Sequence, residues 1–198
     1  FVVTDGETAV PLLPAQDFKR IGDGDTGPNT GGMGAYSPLP WAPTNLVADI
    51  TERVLQPVVD VMRHRGTPFA GLLYAGLAMT SRGVRVIEFN ARFGDPEAQP
   101  LLMRMKSDIV PVLQACARGN LQQDSIEWHD KAAVCVVLAS GGYPAKYAKG
   151  FEIMGLDDVL TMDDVVVFHA GTNFEDGKIV NTGGRVLGVT GLGSTVAE

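Results

Sequence analysis

The chain has 198 residues, 45% of them hydrophobic, and its 16 Lys and Arg against 23 Asp and Glu give a formal net charge of −7. A chain of this size and hydrophobicity can bury a substantial core, which excludes a disordered tail and leaves one globular domain or two small ones. The acidic balance argues against a nucleic-acid partner. The longest uninterrupted apolar run, Ala132–Ala139, is far shorter than the roughly 20 residues that span a bilayer.

The cysteines and the two ends of the chain suggest its compartment. Neither Cys116 nor Cys135 has a CxxC neighbour or a metal-ligand pattern around it, so we expect free thiols in a reducing cytosol. The chain begins at Phe1 without an initiator Met or a signal peptide. Its last residues, Gly193–Glu198, include Ser194, which could cap a helix. We therefore expect a soluble, cytoplasmic protein whose sequence is a fragment of a longer one.

The first predicted elements are a hairpin and a glycine-rich loop. Phe1–Val3 and Thr8–Leu13 flank Asp5-Gly6, a strong turn signal. Residues Gln16–Pro38 are rich in glycine and show no apolar periodicity. We expect this second segment to be a loop that runs over the surface or lines a cleft.

Helical periodicity follows. Thr44 can cap a helix with apolar residues at three- and four-residue spacings up to Met62. Pro57 should kink or divide this helix, and Gly66 should end it. Further along the chain, Asp95-Pro96-Glu97 has the composition of a helix start, an N-cap followed by proline and an acid, and predicts a helix through Met105. An apolar run predicts another helix over Ile109–Arg118.

Strands account for the other regular segments. Phe69–Met79 and Val84–Asn90 predict an antiparallel hairpin. Beyond Gly119 the sequence pattern predicts short strands between glycine-rich turns. We therefore place a domain boundary near residue 125, giving domains 1–124 and 125–198. The short strands are Ala132–Ala139, Val165–Ala170 and Arg185–Thr190.

The sharpest chemical signal lies on the strand that ends near Arg92. Side chains alternate on a strand, so Glu88, Asn90 and Arg92 should share one face, while Ile87, Phe89 and Ala91 should face the core. A carboxylate and a carboxamide oxygen two residues apart are hard ligands that suit Mg²⁺. The arginine beside them can hold a carboxylate or a phosphate bidentately. A solvated polar strand face is the plain structural alternative.

Four segments carry a resemblance to a known family. Arg92–Gln99 reads RFGDPEAQ, and Gln16–Pro38 reads QDFKRIGDGDTGPNTGGMGAYSP. Together with Tyr74–Leu77 and Gly183–Thr190, and in the same order along the whole chain, they resemble the phosphoribosylamine–glycine ligases. The resemblance implies an α+β fold: the C-terminal part of an ATP-grasp domain, with an antiparallel sheet and helices, plus a small and incomplete β-rich C-terminal domain.

The resemblance also implies a reaction of de novo purine biosynthesis. Glycine would attack the γ-phosphate of ATP to give glycyl phosphate, and 5-phosphoribosylamine would displace phosphate to give glycinamide ribonucleotide and ADP. The partners would be these small molecules, with no nucleic acid and no membrane. The family's N-terminal portion would carry most contacts to ATP, so the chain alone should neither bind ATP tightly nor turn over.

Site residues carried over from the family fall into two groups. Glu88 and Asn90 match its pair for Mg²⁺ or Mn²⁺, and Arg92 would contact the substrate carboxylate or the transferring phosphoryl group. In the glycine-rich segment, backbone N–H groups could bind phosphoribosylamine or phosphate, and the candidates are Asn29, Thr30, Gly31 and Gly32. Asp23 and Asp25 could attract the ammonium of glycine, and Lys19 could balance anionic charge.

Structural alternatives stay open for several of these residues. Asp23 and Asp25 have the composition of solvated turn acids, and Lys19 with Arg20 that of an exposed pair. Asp95 and Glu97 belong to the family signature, but helix capping accounts for them. Arg185 could reach across to the active site, but a plain strand position also accounts for it.

Two other functions compete with the ligase. One is another ATP-grasp ligase that uses bicarbonate, such as the ATPase subunit of a purine-pathway carboxylase or a biotin carboxylase, but the glycine-rich segment and RFGDPEAQ argue against it. A binding or assembly module that has lost its chemistry would not be expected to keep Glu88, Asn90 and Arg92.

Overall fold

The computed structural model describes the whole chain, residues 1–198, as an α+β protein in which every strand pairing is antiparallel. This confirms the predicted fold class. The helices are α1 (Leu46–Ile50), α2 (Gln56–His64), α3 (Ala98–Arg104), α4 (Ile109–Arg118) and α5 (Leu156–Val159). The strands are β1 (Val2–Asp5), β2 (Ala9–Pro11), β3 (Gln16–Gly22), β4 (Thr26–Ser37), β5 (Ala70–Thr80), β6 (Gly83–Asn90), β7 (Ala132–Ala139), β8 (Val165–His169), β9 (Thr172–Glu175), β10 (Lys178–Asn181) and β11 (Arg185–Gly193).

The chain divides into two compact units, each built from three stretches of sequence. The first unit consists of residues 1–14, 39–94 and 105–129, and the second of residues 15–38, 95–104 and 130–198. The domain boundary placed near residue 125 stays a prediction. None of the helices has the length and apolar character that crossing a membrane would require.

The first unit packs helices on a four-stranded sheet of order β2-β1-β5-β6. The predicted hairpin around Asp5-Gly6 is confirmed as β1 and β2, and the second predicted hairpin as β5 and β6. Burial of apolar side chains between sheet and helices is the main stabilising term here. Its core consists of Val2, Ala9, Ile50, Leu55, Val59, Leu73 and Ala75.

The first predicted helix is interrupted, as Pro57 suggested. A π-helical turn, Thr51–Leu55, separates α1 from α2, and Pro57 lies in the first turn of α2. A proline has no N–H to donate to the carbonyl four residues earlier, so the wider turn falls directly before it. The predicted cap is wrong in detail, because α1 begins at Leu46 and follows Asn45 rather than Thr44.

Helix α4 was predicted with its observed ends. Its N-cap is Asp108, whose Oδ1 accepts a hydrogen bond from the Val110 N–H at 2.9 Å, and Gly119 closes it in the left-handed conformation. Both ends therefore follow the usual capping chemistry.

The apolar face predicted for β6 is not a core face. Ile87 is 67% exposed and Phe89 is 39% exposed. β6 is the edge strand of its sheet, and the core helices pack instead against β1, β2 and β5 and against Val84 at the beginning of β6. The expectation that Ile87, Phe89 and Ala91 face the core is therefore wrong for this chain.

The second unit contains a five-stranded sheet of order β3-β4-β7-β11-β8, with α3 packed on it. The segment Gln16–Pro38, predicted as a loop, is the β3–β4 hairpin, and its last residues pair with β7. The pattern of a strand is missing from the sequence because residues 23–29 at the end of the hairpin are exposed throughout and the pairing shifts register twice. An exposed, irregular hairpin needs no alternating apolar face.

The predicted start of α3 is also wrong. The helix begins at Ala98, so Asp95 and Pro96 belong to the turn before it and Asp95 does not cap it. Leu101 of α3 is fully buried beneath the sheet. The strands predicted at 132–139, 165–170 and 185–190 are confirmed as β7, β8 and β11, whereas α5, β9 and β10 were not predicted.

Candidate active site

The first polar group lies at the end of β6. Asn90 Nδ2 donates a hydrogen bond to Glu88 Oε1 at 3.1 Å, so these two side chains share one face of the strand, as alternation predicted. β6 carries one residue more than β5 between the pairs Leu77–Val86 and Gly76–Glu88. This bulge lies directly before Glu88, and bulges commonly re-aim side chains beside functional sites.

The donor set of this pair fits a hard divalent cation. Glu88 Oε2 and Asn90 Oδ1 have no hydrogen-bond partner within the protein, and both are oxygens of the kind that Mg²⁺ or Mn²⁺ prefers. Nowhere does the chain gather three or more His, Cys, Asp or Glu side chains in a metal-binding arrangement. A cation held here would therefore complete its shell with water and substrate oxygens, as Mg²⁺ commonly does.

Arg92 lies just beyond this pair. β6 ends at Asn90, so Arg92 occupies the bend after the strand and does not continue its alternation. Its side chain is exposed and Nη1 donates to the Phe93 carbonyl at 2.9 Å. It forms no ion pair with a carboxylate, which leaves most of its donors available to an anionic ligand.

The second polar group is in the β3–β4 hairpin. Asp23 and Asp25 lie in its turn, and both are exposed. Asp25 Oδ1 is 3.9 Å from Arg20 Nε, and Lys19 Nζ is 3.7 Å from Asp17 Oδ2. Exposed pairs at such distances stabilise a fold little, so these charges remain accessible to ligands.

The N–H groups of Gly31 and Gly32 and the hydroxyl of Thr30 already have partners. Gly32 N–H donates to Thr30 Oγ1 at 3.0 Å, and Gly31 N–H donates to the Tyr143 hydroxyl at 3.3 Å. Thr30 Oγ1 in turn donates to the Lys19 carbonyl at 2.8 Å. The N–H groups of the two glycines are therefore already hydrogen-bonded within the chain, contrary to the expectation that they are free to bind an anion.

Arg185 connects this hairpin to the turn before α3. Its Nη1 donates to the carbonyls of Gly31, at 2.8 Å, and Asp95, at 2.7 Å, and its Nη2 lies 3.0 Å from Asp95 Oδ2. The interpretation of Arg185 as a plain strand residue is wrong, and capping does not account for Asp95. Their side chains assemble three segments that are distant in sequence.

Two glycines are the features of the sequence that accompany this assembly. A Cβ on Gly184 would lie 2.2 Å from the Tyr143 ring, so a glycine before Arg185 is needed for Tyr143 to reach the hairpin. A Cβ on Gly31 would lie 3.0 Å from Arg185 Cζ. At both positions the missing side chain lets the backbone pack directly against a side chain of another segment.

Two buried groups of the second unit, Cys135 and Arg104, have shifted pKa values but lie outside the site. Burial raises the pKa of the Cys135 thiol, the nearby Asp95 charge raises it further, and Thr190 and Arg185 lower it. Burial likewise lowers the pKa of Arg104, which donates to Ser37 Oγ at 2.6 Å. Both groups are enclosed in the fold, and neither is placed to act on a ligand.

The structure thus brings the predicted residues together in two groups. Glu88 and Asn90 are adjacent in the first unit, with Arg92 two residues beyond. In the second unit, Lys19, Thr30, Gly31 and Gly32 are connected by hydrogen bonds or chain continuity, whereas Asp23 and Asp25 lie at the exposed tip of the hairpin.

Comparisons with known proteins agree with the resemblance found in the sequence. The model of the phosphoribosylglycinamide synthetase ATP-grasp (A) domain matches residues 1–98, and that of the C domain of the same synthetase matches residues 133–198. Phosphoribosylamine–glycine ligase from Streptomyces coelicolor is 59% identical over 100% of this chain and 48% of its own length. The protein of the same name from Rhodopirellula baltica is 54% identical over 98% of this chain and 45% of its own length.

A solved structure gives the same result. The crystal structure of phosphoribosylamine–glycine ligase from Thermotoga maritima superposes with a TM-score of 0.86 at 34% identity, covering 100% of this chain and 48% of that one. The chain spans about half the length of the relatives it matches. The two domain matches, together covering most of the sequence, show that this chain belongs to the phosphoribosylglycinamide synthetase family.

Proposed function

We propose that this chain is part of a ligase that joins glycine to 5-phosphoribosylamine at the expense of ATP, as the relatives' name implies. The observation that carries the proposal is the 59% identity with a phosphoribosylamine–glycine ligase over the entire chain. The adjacent oxygens of Glu88 and Asn90 support it, because they suit the divalent cation that accompanies ATP.

The chemistry proposed is phosphoryl transfer followed by amide formation. The carboxylate of glycine takes the γ-phosphoryl group to give glycyl phosphate, and the amine of phosphoribosylamine then displaces phosphate. A bound Mg²⁺ or Mn²⁺ would supply charge neutralisation at the ATP phosphates. Glu88 and Asn90 would hold that ion, and the exposed Arg92 guanidinium would orient the glycine carboxylate or the phosphoryl group.

The hairpin is proposed to bind the other substrate groups. Asp23 and Asp25 present exposed carboxylates that would attract the ammonium of glycine, and Lys19 would balance anionic charge. Because the N–H groups of Gly31 and Gly32 already have partners, we assign them to the shape of the segment. The Thr30 hydroxyl also has its partners, so we propose that Asn29 and the backbone of Thr30 approach the ligand.

A second part of the proposal concerns the chain alone. Since it spans about half the length of its relatives, we propose that it neither binds ATP tightly nor turns over by itself. Titration of ATP into the 198-residue chain should give an affinity far below that of the full-length protein. Comparable affinities would contradict this part and leave the ligase assignment untouched.

The assignment is tested by ADP release from the full-length protein, meaning this chain extended to the length of its relatives. Glycine and freshly generated phosphoribosylamine are supplied together and singly, and bicarbonate replaces glycine in a third arm. Release that requires both substrates together supports the ligase. Release with bicarbonate alone would instead indicate another ATP-grasp enzyme.

A further inference from the structure

We infer that Arg185, oriented by Asp95, is a positioning residue that fixes the Gly31–Gly32 backbone for the anionic substrate of the proposed ligase. The inference rests on the proposed function. It adds two residues that lie outside the predicted site, and it explains why the hairpin keeps one shape.

The first step is the hydrogen bonding of the guanidinium. Nη1 donates to the carbonyl oxygens of Gly31 at 2.8 Å, Gly32 at 3.3 Å and Asp95 at 2.7 Å. Nη1 has two hydrogens for these three acceptors, so one hydrogen is shared in a three-centre bond. Two consecutive carbonyls of the hairpin are therefore held by one atom of a residue more than 150 positions away.

The second step is the orientation of the guanidinium itself. Asp95 Oδ2 pairs with Nη2 at 3.0 Å, and Asp95 Oδ1 accepts a bond from Gln99 Nε2 at 3.0 Å. The Arg185 side chain is only 23% exposed. Both oxygens of the carboxylate are thus used, one to hold the arginine and one to anchor the carboxylate to α3, which fixes the arginine in one orientation.

The third step is steric. A Cβ on Gly31 would lie 3.0 Å from Arg185 Cζ, and a Cβ on Gly32 would lie 2.5 Å from Pro96 Cδ. The hairpin backbone therefore rests directly on the guanidinium and on the turn that contains Asp95. Such close approach is available only to glycine.

The consequence for a ligand is electrostatic. Carbonyl oxygens carry partial negative charge and repel a phosphate. Arg185 turns the Gly31 and Gly32 oxygens onto itself, and its own charge is balanced by Asp95. An anionic substrate that approaches Asn29 and Thr30 then meets a segment whose nearest carbonyls are neutralised and whose backbone cannot shift. Loss of this fixed shape would weaken binding of the anionic substrate equally in the ground state and in the transition state, which raises KM and leaves kcat unchanged.

The test compares two arginines of the same unit in the full-length protein. Arg185→Lys keeps the charge but loses the planar fork, and Asp95→Asn keeps the shape but loses the ion pair. Arg104→Lys is the matched structural control, because Arg104 also connects the hairpin to its surroundings through Ser37 Oγ and the Lys131 carbonyl and is 6% exposed. For each variant, kcat, the KM of every substrate and the melting temperature are measured.

We expect Arg185→Lys to raise the KM for phosphoribosylamine on the order of 10- to 100-fold, with kcat and the KM for ATP near wild type. Asp95→Asn should act in the same direction more weakly. Arg104→Lys should lower the melting temperature and leave the ratio of the KM for phosphoribosylamine to the KM for ATP unchanged.

Two outcomes would overturn the inference. One is an unchanged KM for phosphoribosylamine in a folded Arg185→Lys protein. The other is an equal loss towards all substrates that follows the melting temperature, as the control should show. If Arg185→Lys does not fold, Asp95→Asn decides by the same criteria. A wild-type protein that does not use phosphoribosylamine would instead refute the proposed function.

Discussion

The two polar groups of the molecule differ in how completely their atoms are satisfied. At the end of β6, Glu88 and Asn90 share a single hydrogen bond, and their remaining oxygens have no partner within the protein. Around Arg185, one guanidinium and one carboxylate make five hydrogen bonds to the hairpin, to each other and to α3. The first group is the one that we propose to hold a ligand, whereas the second maintains the shape of a segment.

This difference separates two kinds of polar residue that look alike in a sequence. A group with unused oxygens contributes little to folding and can spend its interactions on a ligand. A group whose partners are internal contributes to folding, and its removal leaves donors or acceptors unsatisfied. Substitutions in the first group should therefore change activity with little effect on stability, whereas substitutions in the second should act through the shape and the stability of the hairpin.

The largest expected effect is on activity at the first group. Glu88→Gln in the full-length protein should lower Mg²⁺-dependent ADP release by about 100-fold or more, since a carboxylate ligand of the ion is lost. The melting temperature should not change, because the Glu88 side chain is exposed and has one hydrogen bond. Glu52→Gln, another exposed carboxylate, is the control. A fully active Glu88→Gln protein would contradict the metal assignment.

The next largest effect is on stability at the second group. Gly32 has φ +112° and is buried, and a Cβ there would meet Pro96. Gly32→Ala should lower the free energy of unfolding of the 198-residue chain by about 2–4 kcal/mol in urea titrations. Gly24→Ala is the matched control, because Gly24 has φ +66° but no atom within 4 Å of its Cβ position. Its loss should be about 1 kcal/mol. Equal losses would show that contact with Pro96 is unimportant.

A smaller effect on stability is expected at Asp5. Unlike Glu88, this carboxylate accepts hydrogen bonds from backbone N–H groups on both of its oxygens. Burial tends to raise the pKa of Asp5, but bonds from the backbone N–H groups of Thr8, Glu7 and Leu121 outweigh it, so the pKa falls below its ordinary 3.8. Because the folded pKa is the lower one, this stabilisation is present above pH 3.8 and is lost as the pH falls through the folded value.

Asp5→Asn tests this contribution. The variant leaves the Leu121 N–H without its acceptor, 3.0 Å away in the wild type, and should lose about 1 kcal/mol at pH 7. The difference from wild type should shrink as the pH is lowered below 3.8 in parallel unfolding titrations. If the difference in unfolding free energy between wild type and Asp5→Asn stays constant with pH, ionisation of the Asp5 carboxylate does not contribute to stability.

The smallest effect is expected on the strand that carries Glu88. Ile87 is 67% exposed, so Ile87→Ser should change the unfolding free energy of this chain by less than about 0.5 kcal/mol. Leu73→Ala, at a position 5% exposed in the same sheet, should cost about 2–5 kcal/mol. Similar costs for the two variants would mean that β6 has a core face after all.

Prediction from sequence succeeded where a signal is local. The alternation of β6 paired Glu88 with Asn90, and the apolar run over Ile109–Arg118 predicted both ends of α4. It failed where contacts join distant segments, because nothing near Arg185 indicates that its guanidinium binds carbonyls at Gly31 and Gly32. The β3–β4 hairpin was missed for a related reason, since its pairing to β7 supplies the regularity that its own sequence lacks.

The interleaving of the two units has a consequence for synthesis. β4 pairs on one side with β3, its neighbour in the chain, and on the other with β7, which begins at Ala132. At about 5–20 residues per second, the ribosome would leave that edge of β4 without its partner for roughly 5–20 s. During this interval the newly made hairpin presents open backbone to other chains. The glycines of β4, which suit a binding segment, also weaken that unpaired edge as a template for aggregation.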